Sequence, residues 1–348
     1  MAHFHELPEA APAVFPNRAN ECTKQFVLSN AVFAASAAAV IVKGGFVEGI
    51  PATNETRENA PSGASGFLAE EPILTGLIGT HIQASRSPEM HMREAKAQNL
   101  RLVYRLFDLA DSEGSFDQLR STLDDVEQAG FSGVNITHPF KQRVIELLDE
   151  LSDAAREIGA VNTVLFRSGK RIGYNTDCFG FEESFKQQLA GVPLAKAVQL
   201  GAGGAGAATA AAMLHLGCEI LCIHDSEPTR AHDLVERFAG SGFAGRIKVV
   251  EDVAAELRDA NGLINATPVG MDTHPGTPIP RELLRREMWV ADVVYFPLET
   301  QLLREGRELG CRTADGGHMA VFQAARAFDL FTGRTADSVR MAAEFRRG

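Results

Sequence analysis

The chain has 348 residues, 45% of them hydrophobic, and a formal net charge of −11. That length can bury a full core and suggests two domains, while the interspersed charges argue against a nucleic-acid or anionic-membrane partner. Five cysteines (Cys22, Cys178, Cys218, Cys222, Cys311) form no CxxC pair, and ten histidines include no HExxH and no zinc-spaced Cys/His set, so we expect reduced packing thiols in a cytoplasmic protein with no metal site.

The first 71 residues differ from the rest. An uncharged run, "FVLSNAVFAASAAAVIV" (26–42), follows about two dozen mixed-charge residues, and "NETRENAPSGASG" (54–66) has linker composition. The run is marginal in length for a membrane span, and it lies too far from the start for a signal peptide. The reading is a loosely packed or disordered extension; a membrane or export segment and a packed extra element are the alternatives.

From residue 73 strand and helix signals alternate. "ILTGLIG" is a strand, "SPEMHMREAKAQNL" a helix opening on Ser-Pro, "LVYRLFDL" a strand, and "FDQLRSTLDDVEQAG" a helix ending at Gly130. "FSGVNITH" is a third strand, "KQRVIELLDEL" (141–151) a helix, and residues 160–177 a hairpin turning at Ser168-Gly169. "CFGFEESFKQQL" then crosses into "AKAVQLGAGGAGAATAAAMLHLG", where the pattern restarts. Repeated βα units imply an open α/β sheet, and the restart implies a second. The tail from Gly316 is helical and can fold back on the first domain or cap the second.

The turn Gly201, Ala202, Gly203, Gly204, Ala205, Gly206 has GxGxxG spacing between an apolar strand and an alanine-rich helix. In that context Gly201 permits the tight turn, Gly203 admits a pyrophosphate, and Gly206 lets the helix pack close. The next strand ends at Asp225, placed to bond the adenosine ribose hydroxyls and to repel the phosphate of NADP. Asp225 thus points to NAD, with an N-cap role as the alternative; Arg230, one turn on, could tolerate a phosphate, so NADP is disfavoured without being ruled out.

"VNITHPFK" (134–141) alternates so that Asn135 and Thr137 share one face, while Pro139 stops the strand and leaves Lys141 just past its end. His138 lies on the other face and reads as structural. Oxidising an alcohol needs a group that takes the hydroxyl proton, and Lys141 with Asp177 of "GYNTD" is the best candidate pair. A surface salt bridge is the plainer alternative. What favours chemistry is that "ASRSP", "NITHPFK", "AVNT" and "NTD" all put small polar residues at strand ends, where open α/β sheets bind ligands.

Together "SRSP", "NITHPFK", "GAVNT", "NTD", "GAGGAG", "NATPVGM", "DVVYFPLET" and "FQAARAF" occur in an order and spacing that resembles the shikimate/quinate dehydrogenase family, over residues 73 to about 345. The resemblance implies a two-domain α/β fold: a mixed-sheet substrate-binding catalytic domain (72–182), a Rossmann NAD-binding domain (183–314), and C-terminal helices (315–348) packing back on the first. It implies Ser85 and Ser87 on the ring acid's carboxylate, Asn135, Thr137, Asn162 and Asp177 on its hydroxyls, and Lys141 as the catalytic lysine paired with Asp177. Gln323 would reach the substrate from the last helices, and Tyr295 would stand near substrate and nicotinamide. Asn265, Thr267, Gly270 and Met271 would line the nicotinamide side.

Where the biosynthetic members carry Asn-Arg-Thr, this chain has Asp225, Ser226 and Glu227, so it looks like the NAD-preferring quinate/shikimate branch. The expected activity is reversible oxidation of quinate and/or shikimate with NAD, by a monomer or homodimer. An NADP-linked biosynthetic enzyme and a non-catalytic dinucleotide-binding regulator are the alternatives.

Overall fold

The computed structural model describes residues 71–110 and 115–347. The expectations for the leading segment, with its apolar run at 26–42, lie outside the described residues.

The first sheet grows from β1 (Ile73–Gly79), which pairs in parallel with β2 (Leu102–Asp108) across helix α1 (Ser87–Ala97). Helix α2 (Phe116–Gln128) buries Leu119, Leu123 and Val126, the one-sided spacing of an amphipathic helix, and returns the chain to β3 (Gly133–Ile136) on the other flank of β1. β1 can be central because its residues are buried toward both faces, which suits a near-continuous apolar run.

Residues 141–151 depart from the expected helix. Arg143–Leu147 forms only a 3₁₀ turn, and β4 (Glu150–Leu151) follows. Asp149 N–H donates to Arg171 O and Ser152 N–H to Gly173 O, so sheet pairing takes over the backbone groups that a helix would have used. Helix α3 (Asp153–Ile158) starts under the Ser152 hydroxyl, which accepts from Ala155 N–H, and stops at Gly159 in the left-handed region (φ 64°). β5 (Thr163–Arg167) and β6 (Lys170–Tyr174) then form the expected hairpin, with positive φ at both Ser168 and Gly169 as a tight two-residue turn requires. The order is β2-β1-β3-β5-β6-β4, with β5 antiparallel to β3.

Helix α4 (Thr176–Gln188) crosses to the second sheet. That sheet is built by β7 (Lys196–Leu200), α5 (Gly204–His215), β8 (Ile220–His224), α6 (Pro228–Ala239), β9 (Ile247–Val249), α7 (Val253–Leu257), β10 (Gly262–Asn265), β11 (Trp289–Asp292), α8 (Gln301–Leu309) and β12 (Arg312–Ala314). All its pairings are parallel, in the order β12-β11-β10-β7-β8-β9. The chain runs outward from β7 in one direction and from β10 in the other, so the switch point falls between these strands. Ligands of open parallel sheets bind outside the carboxyl ends at that place.

The tail forms α9 (Gly316–Thr332) and α10 (Ser338–Arg347) and returns to the first sheet. Phe331 packs with Leu165 and Ala327, and Met90 of α1 joins Val321, Ala324, Met341 and Phe345 in a buried cluster. Each such fully buried large side chain stabilises by about 1.5–3 kcal/mol. Glu94, also on α1, is buried and accepts from Arg340 at 2.7 and 2.8 Å, which ties α10 down. The four described cysteines are all buried and free. Among the described residues no helix is long and apolar enough to cross a membrane.

Candidate functional site

Antiparallel pairing of β3, β5 and β6 stacks their polar ends on one edge. Asn135 lies opposite Thr163, and Thr163 opposite Tyr174, so Asn162 and the start of α4 fall beside the carboxyl end of β3. Asn135 Nδ2 donates to Thr163 Oγ1 at 2.9 Å, and its Oδ1 accepts from Tyr104 OH at 2.8 Å. Asn162 Oδ1 accepts from Thr176 N–H at 2.7 Å, while Asn162 Nδ2 and Thr176 Oγ1 each come within 3.5 Å of Gln323 Oε1. The glutamine therefore does reach this edge from α9. Thr137 sits just beyond β3, half-buried, where Gly79 makes room: a Cβ on Gly79 would lie 2.3 Å from the threonine methyl.

Lys141 is fixed from both sides in sequence. Phe140 is fully buried in the core under the sheet, and Val161 N–H donates to Lys141 O at 2.7 Å. Its Nζ meets Asp177 Oδ2 at 2.6 Å. Asp177 belongs to the first turn of α4, capped by Asn175, whose Oδ1 accepts from Cys178 N–H and whose Nδ2 holds Ala160 O. The lysine and its acid are 18% and 8% exposed: shielded from bulk water, yet open to a ligand.

The two sheets meet at this lysine. A Cβ on Gly204, in the glycine turn after β7, would lie 3.2 Å from both Cβ and Cδ of Lys141, so the lysine stem packs against the turn itself. Gly201 has φ 99° and is wedged against Ala266 O, and Gly206 abuts Gly201 O, where a Cβ would sit at 2.2 Å. Gly203 is different: a Cβ there would meet nothing within 4 Å. It precedes α5, whose first-turn N–H groups lack intrahelical partners, so open space adjoins free donors and a positive dipole end. This cradle fits a dinucleotide pyrophosphate.

Asp225, just past β8, is clamped rather than loose. Its Oδ2 accepts from Ala202 N–H at 2.7 Å and its Oδ1 from Glu227 N–H at 2.9 Å. Arg230 is drawn to Glu227 at 2.8 Å. Exposed His138 is held below its ordinary pKa by partial burial first, then by Lys141 and Arg230, one cation from each half of the molecule.

In the 265–271 loop Asn265 is fully buried and bonds inward: Nδ2 donates to Val269 O and Asp292 Oδ1, and Oδ1 accepts from Thr267 N–H and Oγ1. Its amide matches inward partners, so it shapes the loop. Thr267 serves the same end, accepting from Val269 N–H. Gly270 has φ 108°, and Met271 is 38% exposed on the loop's outer side. Asp292 ties the loop to the next one through Asn265 and Thr300. Burial pushes its carboxyl up to about 6 despite hydrogen bonds from Thr300, Val294 and Asn265.

Ser85 and Ser87 open α1, with Ser85 Oγ accepting from Ser87 N–H. Tyr104 of β2, which donates to Asn135, also belongs to the polar set, and the sequence reading passed over it. Its signal, a tyrosine inside an apolar strand, reads as packing. Tyr295 remains 45% exposed, and its ring lies tilted against Phe345 with centroids 6.0 Å apart. Desolvation raises the pKa of its hydroxyl, which also feels Lys141, Asp177 and Arg86. Arg86 itself reaches Phe345 O and lies over the Phe296 and Phe345 rings. Thr176 and Arg86 were also missed, although both stand inside the quoted motifs "NTD" and "SRSP".

Comparison with known proteins finds relatives over most of the chain. Residues 77–164 match the family model described as shikimate dehydrogenase substrate binding domain. A shikimate dehydrogenase (NADP(+)) of Streptomyces avermitilis is 48% identical over 80% of this chain and 96% of its own length. A quinate/shikimate dehydrogenase (NAD(+)) of Corynebacterium efficiens is 44% identical over 80% and 99%. Among solved structures, quinate dehydrogenase from Corynebacterium glutamicum in complex with NAD superposes with a TM-score of 0.74 at 41% identity, covering 80% of this chain and 99% of that one.

Proposed function

The chain belongs to the shikimate/quinate dehydrogenase family, and from that premise we propose that it is the NAD-linked member that reversibly oxidises quinate and/or shikimate to the 3-dehydro acid. The coarser activity, an oxidoreductase acting on the alcohol of such a ring acid with a nicotinamide dinucleotide, follows from close relatives covered over nearly their whole length. The observation that carries the finer reading is the Lys141–Asp177 contact of 2.6 Å, with the lysine stem packed on Gly204 of the dinucleotide turn.

In this reading the bound dinucleotide supplies a hydride acceptor at its nicotinamide. Lys141 exchanges the proton of the reacting carbinol, and Asp177 holds Nζ where that oxygen comes to lie. Ser85 and Ser87 take the ring carboxylate, and Asn135, Thr137, Asn162 and Gln323 take hydroxyls. The internal bonding of the amides means that little side-chain order remains to be imposed on binding, which favours a precise pose. Tyr295 closes the side of the site nearest Phe345. Gly203 and the start of α5 hold the pyrophosphate, while Asn265 and Thr267 keep the nicotinamide loop in shape.

Asp225 supports NAD over NADP. A 2′-phosphate about 4 Å from its carboxylate would be repelled by about 4 kcal/mol in a partly screened site, and less where solvent enters. The competing reading, NADP-linked reduction of 3-dehydroshikimate, draws on the 48% identical relative and on Arg230, a cation one turn away. A steady-state panel of quinate and shikimate against NAD and NADP decides between them. We expect kcat/KM with NAD to exceed that with NADP; the reverse ranking would overturn the cofactor assignment. Absence of dinucleotide reduction with either acid would overturn the catalytic reading altogether.

A further inference from the structure

On the side of α4 turned toward α5, three side chains meet that sequence spacing does not group. Cys178 and Glu182 lie one helical turn apart on the same face, and His215, the last residue of α5, comes over them. Cys178 Sγ is 3.4 Å from Glu182 Oε1 and 3.8 Å from His215 Nδ1, and that nitrogen is 2.9 Å from Glu182 Oε1. A tetrahedral zinc ion, with bonds of about 2.3 Å to sulfur and 2.0–2.1 Å to nitrogen and oxygen, holds its donors roughly 3.3–3.6 Å apart. The three separations bracket that spacing, so only small side-chain shifts would seat an ion.

The surroundings are those of a ligand histidine. The other ring nitrogen, Nε2, lies 3.0 Å from Glu157 Oε2 on α3. With a metal in place of the Nδ1 proton, the Glu157 carboxylate keeps the remaining proton on Nε2 and fixes the ring, as a carboxylate does behind most metal-bound histidines. Lys186 is 3.7 Å from Glu182, but it approaches Oε2 and leaves Oε1 to the cluster. Cys178 is buried, while Glu182 and His215 are 21% and 31% exposed, so an ion could enter past them. Glu157 also lines an open depression with Asp153, Arg156 and Arg237.

We propose that Cys178, Glu182 and His215 form a binding site for a zinc-class divalent cation, with Glu157 orienting the histidine and a water completing the tetrahedron. Thiolate with imidazole and carboxylate selects such an ion over magnesium or calcium, which take oxygen ligands. On binding, metal bonds form to Cys178 Sγ, His215 Nδ1, Glu182 Oε1 and a water, the thiol proton and the Nδ1 proton pass to buffer, and no electron moves. The site joins α3, α4 and α5 and takes no part in hydride transfer, so its occupancy reads out as stability.

The test is cobalt and zinc binding to the full-length chain after chelator treatment. One cobalt per chain should give a thiolate-to-cobalt charge-transfer band with tetrahedral visible bands, displaced by zinc, and zinc should raise the melting temperature. Cys178→Ala should abolish the charge-transfer band, and Glu157→Gln should weaken zinc binding about 10- to 100-fold in a chelator competition. If Cys178→Ala does not fold, His215→Ala, at a half-exposed helix end, is expected to abolish tight zinc binding in its place. A cobalt complex with no thiolate band, or zinc binding of equal affinity and stoichiometry in the Cys178 and His215 variants, would overturn the site.

Discussion

The two sheets present themselves to ligands in different ways. The first offers side chains: hydroxyls and amides already bonded to one another, with an ammonium and a carboxylate at their edge. The second offers backbone: a glycine turn, the start of a helix, and one position where a side chain would have empty space before it. The difference suits the proposed ligands, because a polyhydroxylated ring needs directional donors and acceptors, whereas a pyrophosphate needs close N–H groups and no intervening Cβ. Their buried carboxylates differ as well. Glu94, beneath the first sheet's returning helix, has a guanidinium; Asp292, in the second, has only neutral donors.

The largest expected effect tests the side-chain half. Lys141→Ala should lower kcat by about 10²- to 10⁴-fold, the usual contribution of a positioned acid–base group, with little change in KM for the ring acid. Near-normal turnover would break the assignment. In the backbone half, Gly203→Val should raise KM for the dinucleotide about 100-fold by displacing it from the helix start, at nearly unchanged melting temperature. The extended backbone at Gly203 (φ −71°, ψ −167°) suits any residue, and its Cβ position is free. Gly206→Ala is the contrast: its Cβ would strike Gly201 O, so it should lose stability first. Equal effects of the two variants on melting would dissolve the distinction.

The two carboxylates sharpen the comparison by pH. For Glu94 burial opposes ionisation, yet bonds from Arg340, Asp337 N–H and Gln98 outweigh it and leave the pKa below the ordinary range. It therefore contributes stability above the usual glutamate pKa, lost as pH falls through the lowered value. Glu94→Gln should cost about 1–3 kcal/mol near neutrality and progressively less in acid. Asp292, pushed up to about 6, has the opposite sign. Stability is higher below the ordinary aspartate pKa and declines as pH rises toward 6, by about 2–3 kcal/mol. Melting curves of Asp292→Asn should lack that decline; a variant that keeps the wild-type slope between pH 4 and 6 would assign it to other groups. The smallest effect is on cofactor choice: Asp225→Ser should narrow the NAD preference by about tenfold, as expected for a partly exposed charge, measured as the ratio of kcat/KM values.

Sequence alone determined what depends on neighbours along the chain. The alternation of strands and helices, the turn at Ser168-Gly169, the glycine spacing before α5 and the acid after β8 all follow from local conformational preference and side-chain period. It also placed the lysine just past a strand, where Pro139 ends it; the acid, expected at a strand end, stands instead in the first turn of α4 under the Asn175 cap. Tertiary structure decided what depends on partners far apart in the chain. Residues 141–151 gave up a helical pattern to pair with β6, Asn265 turned inward to Asp292, and Tyr104 became a hydrogen-bond partner of Asn135. Cys178, Glu182 and His215 likewise came together only when α4 packed on α5. A periodic pattern states which face of an element is apolar; it does not state which polar groups that packing brings within hydrogen-bonding reach.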